Sequence, residues 1–401
     1  MKFRYILKIV FLLLFGFNCY SSSVNAQTYQ ISLLTCDPGD ELYNAFGHSG
    51  LRVLDLDTGN DLVFNWGTFD FGAPNFYGKF AMGKLDYFLS FSTYQRFIYN
   101  YQMEQRAIRE QILNLSPEQT SRMLALLNEN ARPENIYYRY DFFYDNCATR
   151  IRDIVEAAIG DQLIWQDPAE LEEKTFRELI DEYVYDMPWA DLGIDLALGS
   201  VIDTPASERE RQFLPDYMEA AFARAEIVGD GPARPLVTPS RIVLDYPPVV
   251  VEQSIFNPYV LFWVVAFAAI IITYVGFKRK KLFIGFDMVY FIILGLMGLV
   301  IFFLWFITEH NATLYNWNIL WAFPVHLALA YGLALKTPRP WVRQYLLFAL
   351  IMADIAVVFW ILGWQSFHPS IVPLLLVIIL RTNYLYYNLE RIKFMKPSIK
   401  A

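Results

Sequence analysis

The chain has 401 residues, 55% of them hydrophobic and 18% charged, with a formal net charge of −8. Average soluble domains are roughly 45–50% apolar and 25% charged, so a wholly soluble protein is excluded. Residues 27–255 carry 37 acids and 18 bases, the remainder 4 acids and 15 bases; so acidic a domain lacks the clustered cations that nucleic-acid binding needs.

At the amino end, Lys2, Arg4 and Lys8 precede an apolar run from Ile9 to Phe17, followed by Val24-Asn25-Ala26. A basic start, a short apolar core and small residues at the cut define a signal peptide over residues 1–26. The run is short of the roughly 20 residues that span a bilayer. Residues 27–255 are therefore expected to be exported.

The exported domain, 27–228, reads as α+β. Ile31–Leu34 predicts a strand. Gly50–Asp55 and Leu62–Trp66, joined across Asp57-Thr58-Gly59-Asn60, predict a hairpin. Aromatic, β-rich segments follow at Tyr87–Phe91, Phe97–Tyr101 and Ala107–Leu113. Ser116-Pro117-Glu118 starts a helix, with Ser as cap and Pro at its first position. Ile151, Ile154, Val155, Ala158 and Ile159 predict one buried face on a helix from Cys147 to Ile159, stopped by Gly160. Residues 161–226 read as mostly helical. The Pro-rich segment 229–258 reads as a stiff linker.

Five apolar stretches follow, at 259–277, 283–307, 317–335, 344–363 and 369–387, each near the length of a membrane span. They predict an all-α bundle of five transmembrane helices over 259–388, with a cytoplasmic tail at 389–401. Lys and Arg crowd the loops at 278–281 and 336–343 and the tail, and are missing from the loops 308–316 and 364–368. The positive-inside rule puts the basic loops in the cytoplasm and residues 27–255 outside. Arg381 is expected to snorkel toward the cytoplasmic face. His368 is expected to be a wetted loop residue, whereas Glu309-His310 is open between that and a functional role.

Two cysteines remain after processing, Cys36 and Cys147, and His48 is the one histidine of the exported domain. Cys147 opens a helix, where free N–H groups favour thiolate. An imidazole beside it can take the thiol proton and return it to a leaving group. The backbone N–H of Cys147 is a candidate oxyanion donor, Asn146 a candidate oxyanion or orienting group, and Asn65, Asp141 and Asp145 are candidates to orient His48. Against this stands a Cys36–Cys147 disulfide in an oxidising compartment. One His and two Cys match no metal-ligand spacing, so neither metal nor cofactor is expected.

Three segments carry a resemblance: Thr35-Cys36-Asp37-Pro38-Gly39-Asp40-Glu41-Leu42-Tyr43 running into Phe46-Gly47-His48-Ser49; Asn65-Trp66-Gly67-Thr68-Phe69-Asp70; and Tyr140 to Arg150 around Asp145-Asn146-Cys147. They resemble the Lnb-type periplasmic domain, and Thr308-Glu309-His310 with Asn316-Trp317-Asn318 resembles that family's first outward membrane loop. The resemblance implies a bacterial lipoprotein N-acyltransferase in the inner membrane, its periplasmic domain similar to permuted papain-like folds of the NlpC/P60 and lecithin:retinol acyltransferase group. There histidine precedes cysteine, as His48 precedes Cys147. It implies Cys147 as nucleophile and His48 as base. The acyl donor would be a membrane phospholipid or the lipoprotein's own diacylglyceryl group, and the acceptor the lipoprotein's N-terminal amine. The competing readings are a cell-wall peptidase or amidase with the same pair, and a non-catalytic envelope sensor or assembly protein held by the disulfide.

Overall fold

A computed structural model describes residues 28–170, 172–229, 231–248, 254–335 and 337–389. The expected signal peptide and almost all of the expected tail lie outside the described residues.

The exported half is built on a seven-stranded sheet. Its main strands are β1 (Tyr29–Cys36), β2 (His48–Asp55), β3 (Asp61–Thr68), β4 (Asp86–Thr93), β5 (Ile108–Ile112) and β6 (Tyr137–Arg139). With β10 (Arg241–Leu244) the order is β10-β5-β1-β2-β3-β4-β6, and every pairing is antiparallel. Alternation puts Ile31, Leu33, Leu51, Val53, Trp66 and Leu89 on one face and Leu34, Cys36, Val63 and Ile108 on the other. Each large side chain buried this way contributes about 1.5–3 kcal/mol.

Helices cover both faces. After α1 (Phe76–Ala81) and α2 (Tyr94–Met103) come α3 (Pro117–Asn130), α4 (Cys147–Ile159), α5 (Phe176–Val184), α6 (Pro188–Ala197), α7 (Glu208–Arg211) and α8 (Pro215–Arg224). Met123 and Leu127 of α3, Ile151 and Val155 of α4, and Met218 and Phe222 of α8 share a core with the first face. On the second face lies α2, with Phe97 and Tyr101 buried. This corrects the strand expected at 97–101. Thr93 caps the helix by accepting from the Arg96 N–H, and the i, i+4 spacing of Phe97 and Tyr101 gives it one apolar stripe.

The segment expected as linker is partly built into the sheets. β7 (Leu163–Ile164), β8 (Glu226–Ile227) and β9 (Arg234–Pro235) form a small second sheet, and β10 pairs with β5. Leu236 and Val237 are buried in the core, which fixes this stretch despite its prolines.

Among the described residues, four helices are long and apolar enough to cross a membrane: α9 (Pro258–Arg279), α10 (Ile284–Phe306), α12 (Pro340–Ile361) and the segment Pro369–Asn388, which contains α13 (Val372–Asn388). The third predicted span, 317–335, is not a continuous helix. It forms a 3₁₀ turn at Trp317–Leu320, passes Pro324, and is helical only over α11 (His326–Ala334). Its irregular backbone is sheltered by protein, as the hydrocarbon requires. A Cβ at Gly298 of α10 would stand 2.0 Å from the Ala322 carbonyl oxygen, so only glycine admits this approach. The Trp321 carbonyl accepts from His326 Nε2 at 3.0 Å.

Arg381 does not snorkel. It is fully buried, with Nε and Nη2 donating to the two oxygens of Asp287 at 2.6 and 2.7 Å and Nη1 to Thr273 Oγ1 at 2.8 Å. A buried carboxylate on a facing helix satisfies the guanidinium better than a reach to the interface.

Candidate active site

His48 begins β2, immediately after Gly47, whose φ of +73° turns the chain from the preceding 3₁₀ segment into the strand. A Cβ at Gly47 would lie 2.7 Å from the Cys36 carbonyl. Cys147 is the first residue of α4, and Asn146 caps that helix. The Asn146 Oδ1 accepts from the N–H groups of Ala148 and Thr149 at 2.9 and 3.0 Å. Its Nδ2 donates to the carbonyls of Phe142 and Phe213, both at 2.8 Å. Sequence reasoning offered Asn146 as an oxyanion or orienting group. The structure commits its Oδ1 to the helix cap and its Nδ2 to the Phe142 and Phe213 carbonyls, so the side chain holds the start of α4 in place.

The two side chains meet. The Cys147 sulfur lies against the His48 imidazole and near the backbone N–H groups of Ser49 and Ala148, the latter also donating to Asn146. Burial alone would raise the thiol's pKa, but the imidazolium charge, its hydrogen bond and the two N–H groups outweigh it, and the net shift is downward. For His48, burial pushes the pKa down, and the Cys147 charge, its hydrogen bond and the contact with Asn65 reverse this to a net rise. Both shifts favour a thiolate–imidazolium pair.

Of the three candidate orienting residues, Asn65 reaches His48, its Oδ1 standing 3.3 Å from Nε2. That leaves Nδ1 for the sulfur. Asn65 precedes a bulge where the β3–β4 register shifts between Asn65 and Thr68, with Gly67 at φ +83°. Gly67 lies against Cys147, and its N–H donates to the Tyr138 hydroxyl at 2.7 Å. Asp141 instead folds the approach loop, accepting from the N–H groups of Phe143 and Tyr144. Asp145 is paired with Arg150, which in turn lies 4.1 Å over the Tyr138 ring. Of the candidates to orient His48, Asn65 and not Asp145 contacts it, because the neighbouring guanidinium claims the Asp145 carboxylate.

Cys36 and Cys147 are both free thiols, so the disulfide alternative is not the arrangement of this structure. Burial pushes the Cys36 pKa up to about 12, against the opposing effect of the Tyr101 hydrogen bond. Beyond His48 opens a cavity of about 430 Å³, lined by Asn65 and Thr68 of β3, Ser90 of β4, and Arg96 and Asn100 of α2.

The outward membrane loops, which lack Lys and Arg, are the ones that meet the exported domain. Glu309 and His310 do not reach the His48–Cys147 pair. The Glu309 N–H donates to the Met82 carbonyl at 2.9 Å, its carboxylate pairs with Lys84 at 2.9 Å, and His310 Nε2 lies 3.2 Å from the Phe80 carbonyl. Asn316 Nδ2 donates to the last carbonyls of α6, Leu196 and Ala197, at 2.8 and 3.1 Å, and Asn318 Nδ2 to that of Asp195 at 3.0 Å. His368 is buried rather than wet, with Nε2 3.2 Å from the Asp191 carboxylate. Asp191, Asp195 and His368 bring their donor atoms within 4.8 Å of one another, a grouping able to hold a metal. Here Arg177 donates to Asp195, and the Ser370 N–H donates to His368 Nδ1, which places the imidazole proton on Nε2, facing Asp191. Through these contacts the cluster joins α6 to the last outward loop. No sequence signal pointed to it, because its members are 177 positions apart at the widest contact.

An α+β exported body seated through polar loops on a helical membrane segment defines a multi-pass membrane protein with a periplasmic domain. Residues 17–182 match the model of the Lnb N-terminal periplasmic domain and residues 250–392 that of the Lnb transmembrane domain. The chain belongs to the Lnb-type family. No curated protein and no solved structure matches it.

Proposed function

We propose that the protein is an inner-membrane lipoprotein N-acyltransferase working through an acyl-thioester on Cys147. The observation that carries this reading is the His48–Cys147 pair, with the sulfur at a helix start and two backbone N–H groups near it, held over a membrane domain. The Cys147 thiolate attacks the carbonyl carbon of a lipid ester. The C–O bond breaks, and the leaving alkoxide takes the His48 proton. The neutral α-amine of the lipoprotein's terminal cysteine then attacks the thioester and gives a proton to His48 as the C–S bond breaks. An amide and a lipid alcohol result, and the ion pair is restored. Neither step needs a cofactor. Asn65 holds the imidazole through Nε2 in both directions of proton transfer. The order histidine then cysteine, on a strand and a helix start, agrees with a permuted papain-like domain.

The test is a strain without its own lipoprotein N-acyltransferase. Native protein gives N-acylated lipoprotein N-termini by mass spectrometry, and an acyl adduct on Cys147 after incubation with phospholipid. N-acylation by the Cys147→Ala protein at the native level would end the proposal.

A further inference from the structure

One feature of the exported domain has no part in the steps above: a line of aromatic rings between the nucleophile and the membrane loop. It starts at Tyr140, whose ring lies 3.6 Å from the position a Gly67 Cβ would take, itself 3.8 Å from the Cys147 Cβ. Tyr140 stacks on Tyr87 at 4.3 Å, and Tyr87 meets Phe69 edge-on at 5.4 Å. All three rings are half-buried. Phe69 then contacts Phe71 at 4.9 Å and Phe76 at 5.9 Å. Phe76 is buried and backs an outer group formed by Phe71, Tyr77 and Phe80, which are 68%, 78% and 53% exposed.

The far end of the line is fixed on the membrane domain. The Phe80 carbonyl contacts His310 and the Met82 carbonyl accepts from Glu309. Both partners lie in the outward loop, just past the end of α10, where Phe306 and Ile307 are themselves exposed. A soluble surface seldom shows three large bare rings on one short segment, and such a patch marks an apolar ligand or a lipid surface. Here the patch is continuous with the outer end of a membrane span at one end and with the reactive sulfur at the other.

We propose that these rings form the binding track for the acyl chain of a membrane glycerophospholipid, carrying its ester from the outer leaflet to Cys147. The proposal rests on the acyl-transfer reading and names its donor. Contact with the chain far from the reacting carbonyl supplies binding energy that positions the ester, so loss of the track lowers turnover of long-chain donors. The donor is a phospholipid because the outer rings open beside exposed α10 residues, where bulk lipid abuts the protein.

Two measurements on the full chain in phosphatidylethanolamine/phosphatidylglycerol vesicles test it. In the first, Cys147→Ala protein is photolysed with a phosphatidylethanolamine bearing a diazirine at the end of its palmitoyl chain. Label on residues 69–80 and 87 is expected, whereas label confined to α9–α13 overturns the track. In the second, the Phe71→Ser/Phe80→Ser protein transfers palmitate from phosphatidylethanolamine about tenfold more slowly or worse. Its Cys147 is alkylated by iodoacetamide, which needs no chain site, at the native rate. Equal loss in both assays, or loss in neither, overturns the track, and so does N-acylation that never draws on the labelled phospholipid. Failure of the native protein to acylate any amine would sink the acyl-transfer reading, and the labelling result would still decide whether chains occupy the rings.

Discussion

Cys36 and His48 are register partners across β1 and β2, so the imidazole has one thiol on the neighbouring strand and another, Cys147, at the start of α4. The two sulfurs differ in what surrounds them. Cys36 is sealed under α2 and its pKa is driven up to about 12 by burial. Burial raises the Cys147 pKa too, but Cys147 is only partly buried, and the His48 charge and nearby backbone N–H groups outweigh the effect. The fold thus sets which thiol ionises through local donors and not through distance from histidine alone.

This gives a selective alkylation pattern. Iodoacetamide is expected to modify Cys147 and spare Cys36 in the folded protein. The Cys147 rate follows thiolate, so it persists as pH falls below the ordinary thiol value of 9.0. In His48→Ala the attractive charge is gone and burial remains, so the profile moves to higher pH. Acyl transfer falls off on both sides: at low pH because the thiolate protonates, and at high pH because the His48 imidazolium, held above its ordinary 6.5, loses the proton that the leaving alkoxide needs. Peptide mapping across pH checks the first statement, and initial rates the second. An unmoved profile in His48→Ala would contradict the ion pair.

In the proposed mechanism Asn65 acts through His48, which it contacts at 3.3 Å. In Asn65→Ala, Nε2 loses its partner, and turnover is expected to fall about 10²-fold with little change in KM. Removing a contact that helps hold the imidazole charged also lowers the His48 pKa, so the high-pH limb of the rate profile shifts toward lower pH. A structural loss alone would not move that limb.

Asn146→Ala removes the α4 cap and leaves the Phe142 and Phe213 carbonyls without their donor. The cap contributes about 0.5–2 kcal/mol, and carbonyls orphaned in the interior cost about 1–3 kcal/mol more. Thermal unfolding in detergent is expected to show a lower midpoint. Activity falls at temperatures where the protein remains folded, because the cap also places the sulfur.

The Asp287–Arg381 pair gives a sign test. Removing one partner leaves a buried charge, and Asp287→Leu or Arg381→Met is expected to destabilise by about 3–5 kcal/mol. The double variant recovers most of that loss, since two apolar side chains leave nothing unpaired. Unfolding midpoints of the four proteins read this out directly. Singles and double that behave alike would show that the pair does not carry the energy assigned to it.

What could be read from the sequence was local. The Cys147–Ile159 helix and the Ser116-Pro117 start follow from caps and spacing within a few residues, and the 50–66 hairpin from alternation about a turn. The misread parts depend on distant partners. Phe97–Tyr101 carries β-prone aromatics, but a Thr cap and a sheet face to cover make it helical. Arg381 looked like a snorkelling cation until Asp287, 94 residues earlier, came to face it. The stretch 317–335 keeps the hydropathy of a span but is not one continuous helix, being interrupted at Pro324 and by the contact at Gly298. Asn65 was one of three open candidates because the bulge that aims it at His48 is a property of the β3–β4 register.

The seam between the outward loops and α6 bears on how the chain can be divided. Asn316 and Asn318 close off the last carbonyls of α6, and His368 covers Asp191. A fragment severed ahead of α9 would carry that helix end naked into solvent, beside the bare rings of 71–80. Such an excised head would tend to clump, and the protein is better handled whole, in detergent or a nanodisc, than as a trimmed water-soluble piece.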